Sequence, residues 1–230
     1  MAKNSSLKQR IRSGETIVGK NVPLKATRSE VEDTLGNASY DFISVDSQHS
    51  AFNEERLVEI CVMAQERDMH VQFRIKHTRR AYEIGNYLDL GPSGIEVPQV
   101  ELESTVDEAV DAFYYPQVGI RSWGGWVRPG INSMPDRVEY ARWWNSYGLL
   151  WMQLESIEAV TNARKLAKPG VDCLSWGPAD MSFNIEGHPE HPFRTIDDCL
   201  RHVLKQLEGS EVKVAFRCSA DERDKYAEMG

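Results

Sequence analysis

The sequence predicts an α/β fold, a (β/α)8 TIM barrel, and three observations lead there. Short apolar runs alternate with helix-patterned stretches over the whole length, the order of a parallel sheet with crossover helices. Polar clusters repeatedly follow the C-terminal ends of those runs, the face on which such a barrel carries its chemistry. No GxGxxG turn opens the chain, and that turn normally announces the other alternating architecture, the doubly wound open sheet. Seven runs lie near residues 16, 42, 72, 96, 151, 174 and 214, so the chain reads as one barrel domain over 1–230, truncated after its seventh βα unit. An eighth strand and helix would fall beyond Gly230.

Residues 1–14 read as a short amphipathic lead with Leu7 and Ile11 one turn apart, and ETIVG (15–19) as the first strand. A helix runs from Ser29, its expected N-cap, to Leu35 and stops at Gly36-Asn37. DFISV then leads into a polar tip, Asp46, Ser47, Gln48 and His49. Asn53 caps a helix whose Leu57, Ile60, Cys61 and Ala64 recur at helical spacing. HVQFRI (70–75) is a strand carrying Arg74 near its end, and 79–91 is a helix closed by Gly91. GIEVPQV (94–100) is a strand ended by Pro98, and Glu101 to Phe113 an acidic amphipathic helix. The segment 114–130 has no period and holds four glycines, two prolines, two tryptophans and two arginines, which marks a long functional loop. Pro135 to Tyr147 is a helix, LLWMQLE (149–155) a strand, and Ser156 to Lys168 a helix capped by Ser156 and stopped by Pro169-Gly170. DCLSW (172–176) is a strand, GPADMSFNIEGHPEHP an irregular loop, 193–208 a helix, EVKVAFR (211–217) a strand and 220–229 a helix.

Composition narrows the function classes. The chain has 230 residues, 41% hydrophobic and 27% charged, with a formal charge of -8. That is a globular composition, and a net acidic surface repels phosphates and argues against a nucleic-acid partner. No apolar run approaches the ~18 residues that span a bilayer, and the polar start MAKNSSLKQRIRSG lacks the apolar core of a secretory signal. The expectation is a cytoplasmic protein with no membrane partner. Cys61, Cys173, Cys199 and Cys218 form no CxxC pair, and no disulfide framework is expected.

The candidate chemistry lies at strand ends. Glu155 and Asp180 are 25 positions apart, one βα unit, and each follows an apolar run. Two hard oxygen ligands with open positions suit Mg²⁺ or Mn²⁺, with Co²⁺ or Zn²⁺ as further options. The same pair also fits two carboxylates that cap helices or pair with arginine. The Gly177-Pro178 turn favours the site reading, because tight turns aim backbone N–H groups at anions. His49 at a strand tip suits a general base, or an ordinary turn histidine. Arg74 suits an anion at the barrel mouth, or a structural ion pair. His188 and His191 have HxxH spacing, but flanking prolines exclude the helix that would align them. His70, His77 and His202 read as surface or strand-edge residues. Arg121, Trp123 and Trp126 offer a specificity surface, although packing is the commoner role of such tryptophans. No GxSxG elbow or cysteine nucleophile is present.

Several motifs in series carry a resemblance: DFISVDSQHS, VQFRI, YLDLGPSGIEVPQVE, YYPQVGIRSWGG, MQLES and WGPADMSFNIEGHPEHP. From about residue 40 to 195 the chain resembles the metal-dependent 2-oxo-acid aldolases, a family that includes 4-hydroxy-2-oxoheptanedioate aldolase, 2-dehydro-3-deoxyglucarate aldolase and macrophomate synthase. The resemblance implies reversible aldol cleavage of a 4-hydroxy-2-oxo acid to pyruvate and an aldehyde through a metal-stabilised enolate. It implies Glu155 and Asp180 as metal ligands, and Gln153, Ala179 and Asp180 as pyruvate contacts. His49 matches the base, Arg74 the enolate-stabilising residue, and Asp89 an acid that raises the base's proton affinity across a subunit interface. It also implies a homo-oligomer, commonly a hexamer assembled by exchange of the last helix. Gln48 stands where relatives often have an acid, and Ser50 where they often have glycine. Two rivals remain on the same residues: an oxaloacetate decarboxylase or macrophomate-synthase-like C–C bond former, and a non-catalytic barrel that binds a 2-oxo acid.

Overall fold

The computed structural model describes residues 6–37 and 39–230. Its seven strands are β1 (Gly19–Asn21), β2 (Phe42–Asp46), β3 (His70–Arg74), β4 (Gly94–Val97), β5 (Leu149–Leu154), β6 (Cys173–Trp176) and β7 (Lys213–Ala215). All neighbours pair parallel, in the order β1 to β7. The helices are α1 (Leu7–Arg12), α2 (Arg28–Leu35), α3 (Glu54–Gln65), α4 (Ile84–Asp89), α5 (Glu103–Phe113), α6 (Arg137–Tyr147), α7 (Ile157–Thr161), α8 (Ala163–Leu166), α9 (Pro178–Glu186), α10 (Ile196–Gln206) and α11 (Arg223–Glu228).

The sheet is curled. Phe42 of β2 and Trp151 of β5 meet edge to face with centroids 5.4 Å apart. In a flat sheet, strands three apart are separated by roughly 14 Å. The seven strands therefore form a half-barrel, with β1 and β7 as its edges.

Strand parity sorts the residues between its two faces, as a period of two requires. Ile43, Val45, Val71, Phe73, Ile95, Val97, Leu150, Met152 and Leu174 join the main core beneath the helices. Leu149, Trp151 and Cys173 join a second cluster with Phe42 and with Leu7 and Ile11 of α1. The short helix α1 thus plugs the end where the strands begin. Above that plug the inner face turns polar, with Gln72, Glu96, Gln153 and Ser175 all buried.

Local chemistry sets the element ends, and several differ from expectation. The first strand lies at 19–21 rather than 15–19; just before it, Val18 donates its N–H to the Asp41 carboxylate and its carbonyl accepts the Asp41 backbone N–H. Thr27, not Ser29, caps α2, in a reciprocal box with Glu30. The helix expected over 79–91 starts as a 3-10 turn (Thr78–Glu83) before α4. The helix expected over 156–168 breaks at Asn162 into α7 and α8. The largest correction is α9: a helix occupies the first part of the expected irregular loop. Pro178 is compatible with a helix's first turn, where its missing N–H costs nothing, and Gly187 closes the helix. The four cysteines are free. Among the described residues no helix is long and apolar enough to cross a membrane.

Candidate active site

At the C-terminal end of the sheet, β2 and β3 are locked together by one ion pair. Arg74 Nε donates to Asp46 Oδ1 at 2.7 Å, and Arg74 Nη1 donates to Gln153 Oε1 of β5 at 3.2 Å. Asp46 also accepts the backbone N–H groups of Gln48 (2.9 Å) and His49 (3.4 Å), which folds the chain after β2 into a tight turn. Burial alone would raise the Asp46 carboxyl. The Arg74 guanidinium and these N–H groups overcome it and hold the carboxyl below its ordinary value. Of the two readings its sequence context allowed, the structure shows the ion pair, with the guanidinium also reaching Gln153 at the strand ends.

Glu155 follows β5 and is buried. Its Oε2 accepts the Gln99 backbone N–H at 2.9 Å, while its Oε1 is buried with no hydrogen-bond partner. Burial first, and the charge of Asp180 second, push the carboxyl up to about 7 against the opposing pull of Arg74 and Gln99. Gly177 packs directly on this carboxylate. Asp180 stands in the first turn of α9, and Gly177 at its N-cap supplies no side chain to it. Pro178 has no N–H, so the free donors of that turn begin at Ala179 and Asp180. Gln153 is fully buried, and its Nε2 has no partner.

Three residues to which the sequence assigns no role complete the arrangement. Asp46 orients Arg74. Gln99 sits at φ 50 and directs its N–H at Glu155, a backbone region uncommon for a residue other than glycine. Glu96, on the inner face of β4, is 1% exposed and accepts from Ser175 Oγ of β6 and from the Arg217 guanidinium. The Asp-x-Gln spacing after β2 is a readable turn signal. A positive φ after proline and a pairing across 121 positions are not.

A family model described as HpcH/HpaI aldolase/citrate lyase matches residues 24–224. The chain belongs to this family. Its hydroxypyruvate/pyruvate aldolase from Roseobacter denitrificans is 28% identical to the chain over 210 residues, covering 90% of this chain and 79% of that protein. A 4-hydroxy-2-oxo-heptane-1,7-dioate aldolase from Shigella boydii is 28% identical over 237 residues, covering 98% of this chain and 86% of that protein. The crystal structure of an HpcH/HpaI aldolase from Desulfitobacterium hafniense superposes with a TM-score of 0.84 at 25% identity, covering 98% and 87% of the two chains. The curated relatives in this family are carbon–carbon lyases by name.

Within this family member, one chain brings Glu155, Gln153 and Arg74 together, with Asp180 close enough to act on Glu155. His49 is exposed on the turn after β2, at the same end of the sheet. Asp89 is elsewhere. It ends α4, just before β4 begins, so it lies at the opposite end of the sheet from His49. There it accepts from Arg121 Nη2 at 2.8 Å.

The 114–130 loop lies at that same far end. Val127 O and Gly91 O both accept from Gln65 Nε2, and Arg121 stacks on Tyr115 and Trp144. Within one chain, Trp123 and Trp126 therefore do not line the site. His70 is not a surface residue: it is buried, with its ring 4.5 Å from that of Tyr147.

Among the described residues no group of three or more His, Cys, Asp or Glu side chains is arranged to hold an ion, so the chain offers Glu155 and Asp180 alone. The pair nevertheless fits a divalent cation. A buried carboxylate oxygen lacks a partner, and the charge of a second carboxylate, Asp180, acts on it, a like-charge conflict that a hard cation would relieve.

Proposed function

We propose that the chain is a divalent-metal-dependent aldolase that cleaves or forms a 4-hydroxy-2-oxo acid, giving or consuming pyruvate and an aldehyde. The observation that carries this reading is the partnerless, buried Oε1 of Glu155, pressed on Gly177 and opposed by Asp180. Glu155 and Asp180 would hold Mg²⁺ or Mn²⁺, which supplies Lewis-acid stabilisation of charge developing on the 2-oxo acid. Family membership and the names of the curated relatives support the same reaction class.

The chain's own residues then divide the work. N–H groups of Ala179 and Asp180 at the start of α9 receive the substrate carboxylate. The free Nε2 of Gln153 donates to a substrate oxygen, and its Oε1 is already taken by Arg74. Arg74, fixed by Asp46, presents its remaining guanidinium donors to the enolate oxygen, a group that gains charge as the C3–C4 bond breaks. His49, on the turn that Asp46 organises, accepts the proton of the C4 hydroxyl. Asp89 serves this histidine from a neighbouring subunit. A homo-oligomer, hexameric as in the resembling family, and a cytoplasmic location belong to the same proposal.

Pyruvate release from a 4-hydroxy-2-oxo acid and from oxaloacetate tests it, measured with added Mn²⁺, with chelator, and in Glu155→Ala. The expected result is aldol cleavage that chelator abolishes and Mn²⁺ restores, and that Glu155→Ala lacks. Full activity in Glu155→Ala overturns the metal site. Pyruvate released from oxaloacetate alone transfers the chain to decarboxylation.

A further inference from the structure

We propose that Arg217, anchored on the buried carboxylate of Glu96, is a positioning residue that holds the Trp176–Gly177 peptide plane against Glu155. The proposal rests on the metal-site reading of Glu155 and Asp180 and assigns that site a support on the strand-edge side.

Paired backbone ends too early to do this job. Trp176 still pairs with Leu154 of β5, but the β6–β7 ladder stops at Ser175 opposite Ala215, so on that side the Trp176 carbonyl has no strand partner. Arg217 Nη1 donates to that carbonyl at 2.9 Å. The other end of the same peptide, the Gly177 N–H, donates to Leu154 O at 3.1 Å. Both polar ends of one peptide plane are therefore held, from the segment just after β7 on one side and from the residue before Glu155 on the other. A peptide fixed at both ends cannot rotate, and Gly177 keeps its face on the Glu155 carboxylate while Asp180 keeps its place three residues on.

The anchor is unusual enough to need a reason. A carboxylate buried to 1% exposure on the inner face of a strand is costly without a countercharge. Glu96 has one in Arg217, and its other oxygen accepts from Ser175 Oγ. The pair thus ties β4, β6 and the end of β7 together beneath β5, the strand that delivers Glu155. Arg217 is 39% exposed, so a mutation there removes little core.

The test compares Arg217→Met, Arg217→Lys and the double variant Glu96→Gln/Arg217→Met. Three quantities are read: melting temperature, Mn²⁺ affinity by calorimetry, and kcat against KM. Arg217→Met is expected to melt lower, because Glu96 is left buried and unpaired, and to bind Mn²⁺ on the order of tenfold more weakly, the usual effect of losing a group that orients metal ligands. The double variant is expected to regain the melting temperature but not the Mn²⁺ affinity, because the Trp176 carbonyl still lacks its donor. Arg217→Lys, which keeps one donor and the charge, is expected to regain part of both. A double variant that recovers Mn²⁺ affinity as well overturns the proposal and leaves Arg217 a countercharge only. Glu155→Ala separates the two readings. If it leaves Mn²⁺ binding unchanged, the metal site falls and this proposal with it. If it abolishes binding while Arg217→Met binds as wild type, the Arg217 proposal alone falls.

Discussion

Gly177 lies hard against Glu155: a Cβ built on the glycine would stand 2.4 Å from Glu155 Oε1 and 2.5 Å from its Cγ. The glycine's φ of −104 is open to any residue, so its requirement is space and not backbone freedom. Gly177→Ala is expected to displace the Glu155 side chain while leaving the fold intact. Calorimetric Mn²⁺ titration should show affinity lower by about 10- to 100-fold, with a melting temperature within a few degrees of wild type. Unchanged affinity would mean that Glu155 has room to move and that the contact does not set its place.

Arg74 is the next point of leverage, because two of its nitrogens are committed to different strands. A lysine ammonium in its place is a point charge without the planar fork and cannot reproduce both bonds and still face a substrate oxygen. Arg74→Lys is expected to lower kcat by roughly 10²- to 10³-fold, the scale of losing one preorganised donor to a developing oxyanion. Mn²⁺ affinity should change far less than kcat. Equal losses in both would make Arg74 a support for Glu155 and not a group that meets the reaction.

Gln99 offers a backbone test of the same carboxylate. Its φ of 50 is tolerable for glutamine and poor for a β-branched residue. Gln99→Gly should keep the N–H on Glu155 and retain activity. Gln99→Val should lose about 1–2 kcal/mol of stability and move that donor. The comparison reads Mn²⁺ affinity in the two variants side by side, and equal affinities would show that the Gln99 N–H does not position Glu155.

Much of this site is legible in the chain because it obeys local rules. Glu155, Gln153 and Arg74 end apolar runs, and a parallel α/β sheet puts such ends on one face. Asp180 is legible for the same reason, although the helix that holds it is not, since Pro178 and Gly177 read as a turn until the first-turn position of the proline is known. Glu96 looks like an ordinary strand residue. Its role depends on the curl that brings Arg217 back across the barrel, and no pattern in β4 encodes its partner. Asp89 is a different case, because its expected role lies across a subunit interface. Its motif is readable, but its position at the far end of the sheet shows that a single chain cannot bring it to His49. The seven strands are countable, while the bounds of the first are not, since a side chain, Asp41, takes the Val18 N–H just before it.

His70 is expected to make the fold acid-sensitive. Burial first, and the nearby Lys8 charge second, lower its imidazole from 6.5 to about 4. The folded state thus refuses a proton that the unfolded chain accepts below about 6.5. The His70 contribution to stability is expected to be full above that pH and to fall as pH drops toward 4, where its loss levels off at about 3 kcal/mol. His70→Phe keeps a ring against Tyr147 and removes the titration. Urea unfolding across pH 7 to 4 should show a slope between 6.5 and 4 in wild type that is reduced in His70→Phe. Identical pH profiles would assign the acid sensitivity to other groups.

At the closed end of the half-barrel, Lys8 of α1 is 2% exposed and Asp172 is fully buried, 3.1 Å away. Lys8 Nζ also donates to Tyr114 Oη at 2.9 Å and to Gly148 O at 2.8 Å, and Asp172 Oδ2 accepts the Leu150 N–H at 3.0 Å. Burial outweighs the attraction of Asp172 and lowers the Lys8 ammonium from its ordinary value, so the pair survives on geometry and not on surplus Coulomb energy. Removing one member should therefore cost more than removing both charges. Lys8→Met is expected to cost about 3 kcal/mol, at the low end for a buried pair, because Arg12 still reaches Asp172 Oδ1 at 3.3 Å. Lys8→Met/Asp172→Asn, in which the amide oxygen can still accept from Leu150, should be no less stable than Lys8→Met alone. Strictly additive single-variant costs in urea unfolding would refute the coupling. Because this pair sits where the strands begin and Glu155 where they end, Mn²⁺ affinity should be unchanged in every variant that remains folded. A loss of affinity there would mean that the plug helix and the site are mechanically linked through β5, the strand that runs from Leu149 beside the plug to Glu155 at the mouth.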